Sequence, residues 1–269
     1  MKAQTAAWSI AGAVLLGLLA WCCWPRGGGA NEVLVLCAAS MRGPMDEVVR
    51  RYNAVSTDRV VCTYGGSGEL CAQLQNSGRG DLYVCHDPFM PWASRQGLVA
   101  QWQTVAFADL VLVVPKGNPK DLRTLEDLAR PGLRLGVGDR KSSTSGYIIQ
   151  QMFNKLPCRE RLWKNATLET KGHQPRCTDV ELGNLDASLV WNGVAFLYRD
   201  RLDMFPVPRD NVDAVTSATY GVTDLRNIKI TVGLTHAGAQ RDAARRFYEY
   251  VGREAASVFG ANGFRPAKE

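Results

Sequence analysis

Between residues 32 and 96 the chain repeats one pattern three times: a short apolar run, a turn of small or polar residues, then an amphipathic stretch. Glu32-Val-Leu-Val-Leu-Cys-Ala-Ala39 leads through Ser40 into Met45–Tyr52. Arg59-Val-Val-Cys-Thr-Tyr64 leads through Gly65-Gly-Ser-Gly68 into Glu69–Asn76. Asp81-Leu-Tyr-Val-Cys85 leads through His86-Asp-Pro88 into a helical stretch ending at Gln96. Unbroken apolar runs suit strands covered on both faces. Helices between such strands give a parallel sheet with right-handed crossovers. Ligands then collect at the carboxyl ends of the strands, here Ser40, Gly65–Gly68 and His86-Asp87.

A second series follows. Asp109-Leu-Val-Leu-Val-Val114 is a strand ended by Pro115-Lys-Gly-Asn-Pro119, and Leu122–Leu128 reads as a short helix. Leu133-Arg-Leu-Gly-Val137 is a strand, and Gly138–Gly146 turns the chain into a helix over Tyr147–Asn154. Helix Cys177–Leu182 precedes strand Asp186–Trp191, Ile228–Leu234 is a further strand, and Gln240–Phe259 is an amphipathic closing helix. The pattern predicts two α/β lobes: residues 31–108 with 233–269, and residues 109–232.

Residues 1–30 stand apart. No charge occurs between Lys2 and Arg26, and Pro25-Arg-Gly-Gly-Gly-Ala30 follows the apolar part. A basic start, an apolar stretch and a small-residue tail make a secretory signal peptide cleaved before Asn31, or an uncleaved membrane anchor. The protein is therefore expected to be periplasmic or otherwise extracytoplasmic. Net charge is +6; Lys2 and Arg26 leave +4 on the remainder. With no dense basic cluster, a nucleic-acid partner is not expected. Six cysteines lie beyond residue 30: Cys37, Cys62, Cys71, Cys85, Cys158 and Cys177. Cys37, Cys62 and Cys85 sit in strand-like runs and suit burial or bridging equally. Cys158 and Cys177 lie in polar, loop-like stretches and are the first expected disulfide.

Three hydroxyl- and glycine-rich turns each open a helix: Ala38-Ala-Ser-Met41, Gly65-Gly-Ser-Gly68 and Ser142-Ser-Thr-Ser-Gly146. A helix start offers unpaired N–H groups and the positive end of the dipole, which suits anions. Serine is also an ordinary N-cap, but three such turns at strand ends in both lobes point to a small oxyanion held between them. Catalytic patterns are lacking: there is no GxSxG, P-loop, HExxH, GxGxxG or CxxC. Cys85-His86-Asp87 resembles a reactive cluster, yet neighbours on a strand face opposite ways. No enzyme activity, cofactor or metal is expected.

These segments together resemble the molybdate-binding proteins of ABC importers. Leu36-Cys-Ala-Ala-Ser40 is similar to the family's opening, and Tyr64-Gly-Gly-Ser-Gly-Glu-Leu70 to its second serine motif. Gly80-Asp-Leu-Tyr-Val-Cys-His-Asp87 resembles its Ala-Asp…Ala-Asp strand, and Leu135-Gly-Val-Gly-Asp139 with Ser145-Gly146 its second-lobe turn. Leu182-Gly-Asn-Leu-Asp-Ala-Ser-Leu-Val-Trp191 and Phe259-Gly-Ala-Asn-Gly-Phe264 match its later strand and its ending. The likeness spans residues 33–264. It implies a type II periplasmic-binding fold, with a mixed, mostly parallel sheet in each lobe and a ligand cleft between.

It further implies a monomeric receptor that hands molybdate or tungstate to a membrane permease driven by a cytoplasmic ATPase. Ser40 and Ser67 match the family's ligand-binding serines. Ser145 stands where the family often has Ala, Trp191 where it has a ligand-contacting Tyr, and His173 falls near a backbone-amide position. Molybdate at neutral pH is a dianion with acceptors only, so a pocket of N–H and O–H donors suits it. The alternatives are a same-fold receptor for sulfate, thiosulfate or a metal ion, a membrane-anchored sensor, and an exported enzyme using Cys85 and His86.

Overall fold

Alternation of side chains along a strand explains the unbroken apolar runs. In β1 (Glu32–Ala38), Val33, Val35 and Cys37 turn into the larger hydrophobic cluster, and Leu36 turns to the opposite face. The same split recurs along residues 82–85: Leu82 and Val84 go one way, Tyr83 and Cys85 the other. With helices on both faces, neither side tolerates a polar residue.

The computed structural model describes residues 31–141, 143–208, 214–217 and 221–267. The expected signal peptide or anchor, residues 1–30, lies outside them. After β1 come a 3-10 turn (Ala39–Met41), α1 (Arg42–Asn53), β2 (Arg59–Gly65), α2 (Ser67–Ser77), β3 (Leu82–His86), α3 (Phe89–Arg95) and β4 (Val99–Ala108). The chain passes through Asp109 into β5 (Leu110–Pro115), β6 (Leu135–Gly138), α4 (Thr144–Lys155), α5 (Arg159–Asn165) and β7 (Ala166–Thr170). Next are α6 (His173–Glu181), β8 (Ala187–Trp191), α7 (Asn192–Phe196), β9 (Leu202–Pro206) and the ribbon β10 (Ala214–Ser217) with β11 (Gly221–Asp224). β12 (Ile228–Thr235), α8 (His236–Ala239), α9 (Asp242–Ala261) and β13 (Arg265–Pro266) complete the described chain.

The first sheet has the order β13-β4-β12-β3-β1-β2 and the second β7-β6-β8-β5-β9. This is the expected two-lobed, mixed α/β architecture. β1 runs parallel to β2 and β3, and β6 to β7 and β8. The remaining pairings in both sheets are antiparallel, so parallel pairs do not dominate. The antiparallel character comes from the strands that carry the chain between lobes. β12 spans the expected 232/233 boundary and lies entirely in the first sheet.

Two crossings join the lobes, one at Asp109 and one in the turn after Asp224. Arg265 binds both: Nε lies 3.0 Å from Asp109 Oδ2, and Nη2 lies 3.3 Å from Asn227 Oδ1. α9 packs its apolar face, including Phe247, Val251, Val258 and Phe259, against the first sheet.

Two further expectations fail. Residues 122–126 form no helix; only a 3-10 turn, Asp127–Ala129, appears. Asn118 takes over the local bonding, its side chain accepting from Leu122 N–H and donating to Leu122 C=O. The Cys158–Cys177 disulfide is absent, and all six described cysteines are free. Helix α6 starts four residues earlier than the pattern suggests, which turns Cys177 inward beside Arg176 and Val180.

Asp186 shows how the second lobe is pinned. Its carboxylate accepts from Arg134 N–H at 2.8 Å and pairs with Arg134 and Lys120 at 2.9 and 3.0 Å. Burial raises its pKa, but these bonds outweigh burial and bring it to about 2. A depressed carboxylate pKa stabilises the fold above the unfolded value, and that stability drains as pH falls through the folded one. Because both cations are half exposed, the expected contribution is about 1–2 kcal/mol. Asp186→Asn should lower the melting temperature at neutral pH and flatten the melting curve against pH between about 4 and 2.

Candidate functional site

The carboxyl ends of β1, β2 and β3 lie side by side, since Ala38 aligns with Gly65 and Cys37 with Val84. Each strand therefore delivers its next residues to one edge of the sheet. Ser40 sits in the 3-10 turn after β1, half-buried. Ser67 is the first residue of α2, and Glu69 Oε2 accepts from Gly66 N–H at 3.2 Å to seat that turn. His86 ends β3. All three line one cleft of about 790 Å³ between the lobes.

Ser67 is the unusual member. Its side chain is buried, yet its hydroxyl oxygen has no hydrogen-bond partner among the described residues. A buried, unpaired hydroxyl costs free energy unless something else bonds it. Its backbone is held in place, because Tyr83 donates its phenolic O–H to Ser67 C=O at 2.7 Å.

The second lobe closes the cleft with another helix start. Ser143 caps α4, its Oγ accepting from Gly146 N–H at 3.0 Å and donating to Asp139 C=O at 2.9 Å. Ser145 follows, buried in the first turn, its Oγ 3.4 Å from that of Ser143. The strand-to-helix turn is tight enough that only glycine fits twice: a Cβ on Gly138 would stand 2.4 Å from Gly146 N, and one on Gly146 2.2 Å from Asp139 O. The first-turn amides of α4, like those of α2, have no intrahelical acceptor.

His173 opens α6, and Trp191 ends β8. The Trp191 ring lies 5.6 Å from that of His173 and 5.9 Å from that of His86. Burial pushes the His173 imidazole well below the usual histidine range, with Arg176 and then His86 adding to the effect. Arg176 is fully buried and faces no carboxylate among its hydrogen-bond partners. It donates instead to Thr170 C=O, Ser188 Oγ and Leu189 C=O, and meets His173 Nδ1. Burial brings its pKa down to about 10, so it remains a cation at neutral pH. Arg140, Lys141 and Lys171 stand at the cleft mouth, and Lys171 Nζ reaches 4.0 Å from Glu69 Oε1 of the other lobe.

All five expected site residues, Ser40, Ser67, Ser145, His173 and Trp191, thus line the same cleft. His86 also lines the cleft beside these five, and buried Arg176 lies behind His173. The sequence places His86 at a strand end where ligands collect without naming it a site residue, and Arg176 carries no local sign of burial within its polar stretch. The Cys85-His86-Asp87 cluster does not converge. Cys85 is buried on the far face against Thr231, burial pushing its thiol well up, while Asp87 accepts from Lys229 N–H. Among the described residues no three His, Cys, Asp or Glu side chains gather into a metal site. No described helix is long and apolar enough to cross a membrane.

The sequence matches the family model "Bacterial extracellular solute-binding protein" over residues 33–265. A putative binding protein of Haemophilus influenzae is 21% identical over 241 residues, 89% of this chain and 93% of its own length. The molybdate-binding protein ModA of Mycobacterium tuberculosis is 32% identical over 112 residues, covering 40% of this chain and 43% of ModA. Among solved structures, the periplasmic molybdate-binding protein of Azotobacter vinelandii superposes with a TM-score of 0.72 at 18% identity, over 88% of this chain and all of that one. The sulfate-binding protein SubI of M. tuberculosis gives 0.67 at 18% identity, over 88% of each chain. At these identities the structures speak for the type II periplasmic-binding fold alone. The match to the family model spans most of the chain, and the protein belongs to the bacterial extracellular solute-binding family.

Proposed function

We propose that this protein is an extracytoplasmic, monomeric receptor that closes on a tetrahedral oxyanion, with molybdate or tungstate as cargo. It delivers the anion to an ABC permease driven by a cytoplasmic ATPase. The observation that best supports this is the buried Ser67 hydroxyl, which lines the cleft without a partner. A charged ligand with acceptor oxygens supplies what that O–H lacks. Ser40 completes the first-lobe cradle, while Ser145, Trp191 and His173 bind from the second lobe. Hinge closure is a common response of two-lobed receptors, and contacts to both lobes are what let a ligand drive it.

The direct test is a thermal-shift screen with molybdate, tungstate, sulfate, thiosulfate and phosphate. A ligand at 100 times its dissociation constant stabilises by roughly 2.7 kcal/mol. Stabilisation by molybdate and tungstate with a smaller response to sulfate supports the reading. Silence from every anion ends it.

The size of the cleft favours a second reading, an oxyanion bearing an organic tail, since about 790 Å³ exceeds what one tetrahedral anion fills. Phosphate monoesters in the same screen separate the two.

A further inference from the structure

The two imidazoles on the cleft wall are hydrogen-bonded in opposite senses. His86 Nδ1 lies 2.9 Å from its neighbour Asp87's carbonyl oxygen, which only accepts. That nitrogen therefore carries the hydrogen, and Nε2 of the neutral ring keeps a lone pair. His173 Nδ1 lies 3.0 Å from Arg176 Nη2 and 3.3 Å from the Trp191 backbone nitrogen. Both of those groups only donate, so the His173 hydrogen sits on Nε2. Among the described residues, no hydrogen-bonding group meets either Nε2. The cleft thus offers one imidazole donor and one imidazole acceptor, with the Trp191 ring in contact with both.

Molybdate, tungstate and sulfate carry acceptors only. They suit His173 and meet a lone pair at His86. We propose that His86 sets the protonation state of what the cleft captures. An acceptor-only oxyanion enters together with a proton on His86 Nε2, and an anion bearing its own hydrogen, such as hydrogenphosphate or a singly charged phosphate monoester, enters without one. The proton comes from solvent and forms an N–H bond at Nε2 while the anion is bound; that bond breaks and the proton returns to solvent on release, and no other covalent bond changes. This inference rests on the oxyanion reading of the cleft.

The surroundings of His86 fit this role. From the second lobe it faces His173, with the Arg176 cation behind, and the neutral ring of Trp191. From α3 it meets Phe89. On its own strand, Cys85 turns to the opposite face, and the Asp87 carboxylate accepts from Lys229 N–H at 3.0 Å. The other charged residues of the cleft lining, Glu69, Arg140, Lys141 and Lys171, are solvent-exposed. Burial holds the empty-state imidazole below the usual histidine range, opposed by the bond to the Asp87 carbonyl. A bound dianion supplies the missing counter-charge and raises that pKa. Affinity for an acceptor-only anion is then greatest at low pH and falls as pH rises through the bound-state value.

The test is titration calorimetry of the purified protein at about pH 7.5 in buffers of different ionisation enthalpy, where the expected uptake is about 0.3–1 proton per molybdate. Hydrogenphosphate should bind without uptake. His86→Gln should bring molybdate uptake to zero, whereas His173→Gln should retain it. Molybdate binding without buffer dependence in the unmodified protein overturns the proposal and leaves the oxyanion reading intact. Uptake that survives His86→Gln overturns it as well. No heat and no melting shift with any anion overturns both.

Discussion

Replacing Ser67 by alanine should stabilise the empty protein and cripple the loaded one. The hydroxyl is buried without a partner, so the empty state bears its desolvation cost, about 1–3 kcal/mol for such groups. Nothing local is lost with it. Ser67 is not the cap of α2, and the bond from Tyr83 goes to its backbone carbonyl. Relief of about 1 kcal/mol should raise the melting temperature of the empty protein by roughly 2–4 °C. In the bound state the same hydroxyl donates to a charged oxygen, worth about 1.5–3 kcal/mol, so affinity should fall roughly 10- to 150-fold. Ser40, half-buried, should lose affinity on replacement without any gain in the empty state. Calorimetry and melting on one preparation check both halves. Unchanged affinity would remove Ser67 from the site, and a lowered melting temperature would mean the hydroxyl is already satisfied.

Gly146→Ala should damage the second half of the cradle more severely than any surface change. The added carbon would stand 2.2 Å from Asp139 O and 2.5 Å from Gly138 O. Those atoms are backbone and cannot rotate away. The start of α4 must shift, carrying Ser145 with it and breaking the 3.0 Å cap from Gly146 N–H to Ser143. We expect about 2–4 kcal/mol of lost stability and loss of measurable anion binding even where the protein remains folded. Gly43→Ala, in the first turn of α1, is the matched control, because its added carbon meets only ordinary contacts, Leu197 Cδ2 at 3.5 Å and Asn262 Oδ1 at 3.6 Å. It should be neutral or stabilising by up to about 1 kcal/mol. Similar losses from both substitutions would refute the steric account.

The sequence made the strand ends legible because burial on both faces writes itself as an apolar run. It made the serine turns legible because helix starts need hydroxyls or glycine. It did not reveal β4, the longest described strand, since Gln101, Trp102 and Gln103 are exposed or half-exposed and break the apolar signal. Nor did it reveal that Arg176 is buried. That depends on which face of α6 meets β8, a tertiary fact absent from a polar stretch such as His173-Gln-Pro-Arg176. Cys177 was misread for the same reason, because beginning the helix at His173 rotates it from loop to core. The strand-end position of His86 was legible, but its ring orientation was not, because that follows from a bond to its neighbour's carbonyl and from a ring in the other lobe.

Arg265 gives the pair of lobe crossings a mechanical meaning. A body tied to another at two separate points can turn about the line through them, but it resists sliding and twisting. Here one guanidinium near the C-terminus grips both points, at Asp109 and at Asn227. The motion left to the lobes is a single swing, like a door on two hinges sharing a bracket. On the proposed receptor reading, closure would bring the Ser67 wall and the Ser145 wall together along one path, and the size of the captured anion would fix where that swing stops.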